Sequence, residues 1–240
     1  MLTNRRDAET QRLRKESIRI RTLPAGGVSC LGLSRSVRVR SVDTMNYEEV
    51  FRQLTERLAS ELTTKELAVV GRAFELACQA HAGQMRDEGT PYIVHPVRVA
   101  ATLVNELGVF SPRLVCAALM HDVIEDSEIT REQIAELFGD ETAEVVWLLT
   151  KLEDVSLADY LSAIEAANET GAPIVKLCDR LDNLRFVTCS PRIEKIQRYI
   201  RTTEGYYLPM AARTNQYLHD ELSRSLAHVR NHLAAAKTLA

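Results

Sequence analysis

The chain has 240 residues, 45% apolar and 26% charged; its five cysteines form no C-x-x-C pair, which excludes a disulfide framework or zinc finger and suits a reducing cytoplasm. Thirty Lys and Arg against 33 Asp and Glu leave a net charge of −3, too near neutral for a protein whose main partner is nucleic acid. The longest apolar stretch, residues 97–120, is broken by Arg98, Asn105, Glu106 and Arg113, which excludes a membrane-spanning helix. Residues 1–44 carry ten Lys and Arg and four Asp and Glu, a net of +6, leaving −9 for the rest. This basic stretch has no sustained apolar period and contains Pro24-Ala25-Gly26-Gly27, so it is expected to be disordered. Met45 opens the patterned region and is a candidate start; residues 45–240 are expected to form one domain.

From Met45 onward the pattern predicts helices almost throughout, hence an all-α domain. Thr63 and Glu66 form a capping box before the stripe Leu67, Val70, Ala73, Phe74 and Ala77. A helix is expected over Val97–Leu107, with His95 held extended in front of it by Pro96. Ser111-Pro112 opens the next helix, which should run on as one turn after another through Asp126. Thr130 and Gln133 form a second capping box, closed by Gly139. Ser156 with Asp159 begins a helix closed near Gly171, and helices over Ile174–Arg185, Ile193–Thr203 and a Tyr206–Leu233 segment follow. Trp147 is expected in the core, and His219, His228 and His232 on the surface.

Chemistry concentrates in Ala117–Asp126, where His121, Asp122, Glu125 and Asp126 interrupt an otherwise apolar helix. Residues four apart share a helix face, and buried carboxylates demand a cation or basic partners. Asp179 and Asn183 are again four apart, beside the stripe Ile174, Leu177, Leu181 and Leu184; alone they would read as an ordinary polar face. His95 alone would read as structural. Together His95, His121, Asp122 and Asp179 make an H…HD…D set. Mixed N/O ligation without thiolate suits six-coordinate Mn²⁺, with Mg²⁺ or Fe²⁺ as alternatives, better than structural Zn²⁺. Such a site leaves positions for water and a phosphate oxygen.

That set resembles the HD-domain metal-dependent phosphohydrolases, and the fuller string is similar to the hydrolase domain of the RelA/SpoT homologue family. The matching pieces are Ala73-Phe74-Glu75-Leu76-Ala77, His81-x-Gly83-Gln84-x-Arg86, Pro91-Tyr92-Ile93-Val94-His95-Pro96, residues 117–126, Phe138-Gly139, Thr150-Lys151-Leu152 and residues 176–185. They span roughly residues 65–213 in the family's order. The resemblance implies an HD-type helical bundle that binds Mn²⁺ through His95, His121, Asp122 and Asp179. It implies Glu125 and Asp126 as the pair that activates water, Arg86 against a guanine base, and Asn183 near the ribose and metal. The implied reaction removes the 3′-pyrophosphate of ppGpp or pppGpp, giving GDP or GTP and pyrophosphate.

The sequence departs from the family pattern at Asp87-Glu88, where Lys-Ser or similar is usual, at Asp182 in place of His, and at Phe186 in place of a small hydroxylated residue. Acids beside an anionic substrate oppose it, so ppApp, the 2′-phosphate of NADPH or another nucleotide are alternatives, as is a non-catalytic nucleotide sensor. About 50 residues follow Pro191, too few for an alarmone synthetase, so a stand-alone small hydrolase is expected. Its partner is then a small-molecule nucleotide, with no nucleic acid or membrane; a homo-oligomer is left open. Cys116 and Cys178 read as core residues rather than nucleophiles.

Overall fold

The computed structural model describes residues 47–238, so the expectation for residues 1–44 lies outside the described residues. These residues fold into α1 (Tyr47–Leu58), α2 (Thr64–Ala80), α3 (Val94–Ala101), α4 (Pro112–Met120) and the single turn α5 (Val123–Asp126). Next come α6 (Arg131–Phe138), α7 (Asp140–Leu149), α8 (Leu157–Ala166), α9 (Ala172–Phe186), α10 (Ile193–Thr202), α11 (Leu208–Thr214) and α12 (Gln216–Thr238). Five-residue π turns extend α3 through Glu106 and join α10 to α11 over Thr203–Tyr207. The only extended pairing among the described residues is the isolated bridge between Met85 and Pro91, so the chain is all-α as expected.

The predicted caps are present. Thr63 and Thr130 each close a capping box, with Glu66 and Gln133 reaching back to the cap. Ser111 caps α4 with Pro112 in the first turn. The C-terminal segment is two helices rather than one: Asn215 turns extended, and its side-chain oxygen accepts from the Leu218 N–H to start α12.

Helix α4 is the centre of the fold. Leu114 through Met120 are all buried, and α4 packs on α2, α3 and α7. Helix α9 lies across α3, α4, α7 and α12, so His95 in α3, His121 just past the end of α4 and Asp179 in α9 belong to three mutually packed helices or their ends. The start of α9 meets α4 tightly at one point. Gly171 turns left-handed (φ +80°) just before α9, where a Cβ would sit 2.7 Å from Leu114 Cδ1. Only glycine accommodates both.

Two expectations are corrected. His95 is not held extended before a helix; it lies in the first turn of α3, where Pro96 lacks only a hydrogen bond that no turn partner requires. Trp147 is 36% exposed, because α7 spends its inner face on Val145, Val146 and Leu149; the Arg131 guanidinium covers its ring at 5.8 Å.

Candidate metal centre and active site

The expectation of an unbroken helix through Asp126 fails at the most informative point. Helix α4 ends at Met120, Asp122 adopts φ −101° and ψ −2°, and α5 restarts at Val123. Consecutive residues of a continuous helix diverge by about 100°. The break lets His121 and Asp122, neighbours in sequence, converge instead: His121 Nε2 lies 3.0 Å from Asp122 Oδ2.

His95 Nε2 points at the same spot, 3.2 Å from His121 Nε2, 3.1 Å from Asp179 Oδ1 and 3.9 Å from Asp122 Oδ2. Asp179 Oδ1 is 3.8 Å from His121 Nε2. One atom each of His95, His121 and Asp122 thus lies within 4.8 Å of the others, and Asp179 Oδ1 adjoins both histidine nitrogens. The partner of each Nδ1 fixes how its ring is turned. His121 Nδ1 donates to the Ala118 carbonyl at 2.8 Å, and His95 Nδ1 to Asp182 Oδ2 at 2.6 Å. Each Nε2 is thereby turned toward the other ring and the two carboxylates. Two imidazole nitrogens flanked by carboxylates suit a cation, a proton on His121 or a metal ion in its place, and the three shortest separations match the roughly 3 Å between adjacent ligands of an ion bound at about 2.1 Å. The residues fit a divalent cation.

The electrostatics agree. Burial works to lower the His121 pKa, yet Asp122 and Asp179 outweigh it and push it up to about 9. Asp122 and Asp179 are held below the ordinary carboxylate range despite burial, the first by His121 and the second by Lys176 and the histidines. Lys176 Nζ is 3.0 Å from Asp179 Oδ2. The polar residues of α9, which alone would read as a solvated face, are buried: Lys176, Asp179, Arg180 and Asp182 are each at most 8% exposed.

Beside this centre opens a cavity of about 400 Å³ lined by Arg86, Tyr92, Asn183, Lys176, Arg180, Lys195, Tyr199 and Tyr207. Arg86 and Asn183 meet at its wall: Arg86 Nη2 donates to Asn183 Oδ1 at 2.8 Å, and Asn183 Nδ2 to Asp179 Oδ1 at 2.5 Å. Arg180 lies between the rings of Tyr199 and Tyr207, at 4.4 and 4.1 Å, and its buried Nε has no hydrogen-bond partner among the described residues.

Glu125 and Asp126 lie on α5, outside the ligand cluster and exposed. Glu125 Oε1 accepts from the Lys151 N–H, and Asp126 Oδ2 is 3.9 Å from His81 Nδ1. Partial loss of hydration, and then the Asp122 charge, raises the pKa of both.

The charge reversal expected at Asp87 and Glu88 is largely absorbed inside the protein. Asp87 pairs with Arg192 at 2.7 Å and Lys195 at 2.6 Å; Glu88 lies 3.2 Å from both Arg86 and Arg98. Sequence reasoning missed Tyr92, whose hydroxyl donates to Asp122 Oδ2 at 2.6 Å, and took Asp182 for an alteration of the nucleotide pocket. A usable signal existed for the second, since Asp182 lies three residues from Asp179 and so shares its helix face. Cys116 and Cys178 are buried in the core, with burial raising both thiols, the first to about 12.

Comparison with known proteins gives a consistent picture. A probable guanosine-3′,5′-bis(diphosphate) 3′-pyrophosphohydrolase of Mycoplasma genitalium is 31% identical over 185 residues, 71% of this chain and 25% of the relative. The protein of the same description from Synechocystis sp. is 38% identical over 161 residues, 63% of this chain and 21% of the relative. The chain thus spans a quarter or less of the length of these curated relatives. A solved structure, described as a metazoan ortholog of SpoT that hydrolyzes ppGpp and plays a role in starvation responses, superposes with a TM-score of 0.59 at 26% identity. It covers 67% of this chain and 95% of its own. Residues 73–216, which hold all the residues of the site, match the HD domain, and the chain belongs to that family.

Proposed function

We propose that this protein is a Mn²⁺-dependent hydrolase that removes the 3′-pyrophosphate of ppGpp and pppGpp. The observation that carries the reading is the convergence of His95 Nε2, His121 Nε2, Asp122 and Asp179 at the edge of a cavity that Arg86, Lys176, Arg180 and Lys195 help to line. A divalent ion bound there supplies a Lewis acid that makes water a better nucleophile and offsets phosphate charge. Oxygen and nitrogen donors without thiolate favour Mn²⁺ over Zn²⁺.

His95, His121, Asp122 and Asp179 hold the ion. Glu125 and Asp126 orient the attacking water and take its proton, a task that their raised pKa values favour. The water oxygen bonds to the phosphorus attached to O3′, the P–O3′ bond breaks, and O3′ leaves protonated, giving GDP or GTP and pyrophosphate. Arg86, braced by Asn183 and Glu88, stacks on the base, and Asn183 faces the ribose. Lys176, Arg180 and Lys195 meet the phosphates, the unpartnered Arg180 Nε among them. Cys116, Cys178 and Cys189 are thiols rather than disulfides among the described residues, which fits a reducing cytoplasm.

A substrate panel with Mn²⁺, covering ppGpp, pppGpp, ppApp and NADPH with product identification, tests the reading. Pyrophosphate released from ppGpp and pppGpp, and lost on chelation, is expected. Turnover confined to ppApp or NADPH would move the substrate while keeping the reaction class; nucleotide binding without turnover would make the protein a sensor.

A further inference from the structure

Three of the positions that depart from the resembled pattern meet at one residue. Arg98, on α3 and 8% exposed, donates through Nε to Asp182 Oδ1 at 2.7 Å and through Nη2 to Asp182 Oδ2 at 3.1 Å. The same Nη2 reaches Glu88 Oε1 at 3.2 Å, and the guanidinium lies 3.5 Å over the Phe186 ring. Glu88, Asp182 and Phe186 therefore form a nest for one buried arginine.

Asp182 in turn accepts the His95 Nδ1 proton at 2.6 Å. The contacts then close on themselves. From His95 they run through Asp182, Arg98, Glu88, Arg86 and Asn183 to Asp179, whose Oδ1 is 3.1 Å from His95 Nε2. The two histidines are backed differently: His121 rests on a neutral carbonyl, and His95 on a carboxylate that Arg98 grips with two hydrogen bonds.

We propose that Asp182, locked by Arg98, is the positioning residue for His95, fixing the tautomer and ring orientation that aim Nε2 at the metal. The proposal rests on the metal-centre reading above. A carboxylate behind a ligating imidazole holds the proton on Nδ1 and sharpens donation from Nε2. A bidentate guanidinium prevents the carboxylate from rotating away, and its charge keeps a buried acid from standing uncompensated. Glu88 and Phe186 fix Arg98 from its other sides. The acids at these positions act on this account as supports of the metal site rather than as repellents of the nucleotide.

Mn²⁺ titration of the metal-free protein by calorimetry, alongside its melting temperature and steady-state kinetics, tests this. Asp182→Asn keeps the shape and one acceptor but drops the charge. It should weaken Mn²⁺ binding by about 10- to 100-fold, leave the metal-free melting temperature within a few degrees, and recover turnover at saturating Mn²⁺ with an unchanged KM for nucleotide. Arg98→Met should weaken Mn²⁺ in the same direction. The double variant should be no weaker than the worse single one, because both act through one contact. Wild-type Mn²⁺ affinity in a folded Asp182→Asn protein, or losses that multiply in the double variant, would overturn the assignment. Should Asp182→Asn not fold, Arg98→Met with wild-type Mn²⁺ affinity overturns it alone. Wild-type protein that binds no Mn²⁺ would instead remove the metal centre itself, a distinct failure.

Discussion

Asp122 follows His121 directly in the chain, yet its Oδ2 lies 3.0 Å from His121 Nε2 and accepts a 2.6 Å hydrogen bond from the Tyr92 hydroxyl. This convergence exists only because the helix stops at Met120 and restarts at Val123. The first prediction follows from it. Asp122→Ala removes one donor from a four-residue cage and strands the Tyr92 hydroxyl, so metal binding and hydrolysis should both vanish. Calorimetric titration and an activity assay check this, and full activity in the metal-stripped variant would sink the metal centre.

Glu125→Gln separates water activation from metal binding. The amide oxygen still accepts from the Lys151 N–H, so local structure should hold, but the proton acceptor is gone. Mn²⁺ and substrate affinity should persist while turnover drops about 10²–10⁴-fold. A variant that loses the metal together with its activity would make Glu125 a ligand.

Metal affinity should depend on pH in a definite direction. His121 titrates near pH 9 in the metal-free site, whereas Asp122 and Asp179 are already ionised at neutral pH. Below about pH 9 an incoming cation must displace the imidazole proton, so apparent affinity should rise with pH and level off near 9. Calorimetry in buffers of different ionisation enthalpy should show proton release at pH 7; a pH-independent affinity would show that His121 is not a ligand.

Gly171→Ala should cost stability without touching the chemistry. An alanine at φ +80° is strained, and its Cβ meets Leu114 Cδ1 at 2.7 Å in a packed core. A loss of about 1–3 kcal/mol is expected in denaturant titrations. An unchanged midpoint would mean that α4 and α9 yield at this contact more readily than their burial implies.

Asp87→Asn should free Arg192 and Lys195 at the mouth of the cavity. The KM for an anionic nucleotide should then fall, by less than about fivefold because exposed pairs are weak, and the gain should shrink as salt is added. A rise in KM would show instead that Asp87 holds the two cations in their working positions.

Much of this protein is legible along the chain. Thr63, Thr130, Ser111 and Gly139 mark helix ends as local chemistry dictates, since a cap is satisfied within three residues of itself. The residues of the candidate metal cage were legible too, because buried His and Asp in an apolar setting have few other uses. Tertiary structure alone decided the rest. Periodicity continued α4 through Asp122, whereas the cage needed two neighbouring side chains at one point, which a continuous helix cannot supply. His95 read as extended from Pro96, but a proline in a first turn gives up no hydrogen bond, and packing of α3 on α4 and α9 prevailed. Asp182, Arg98 and Glu88 lie on three separate segments, and the sequence holds no sign that they touch. Local rules act over one turn; the hydrogen bonds that aim His95 cross 84 and 87 residues of chain, a distance over which only packing decides who meets whom.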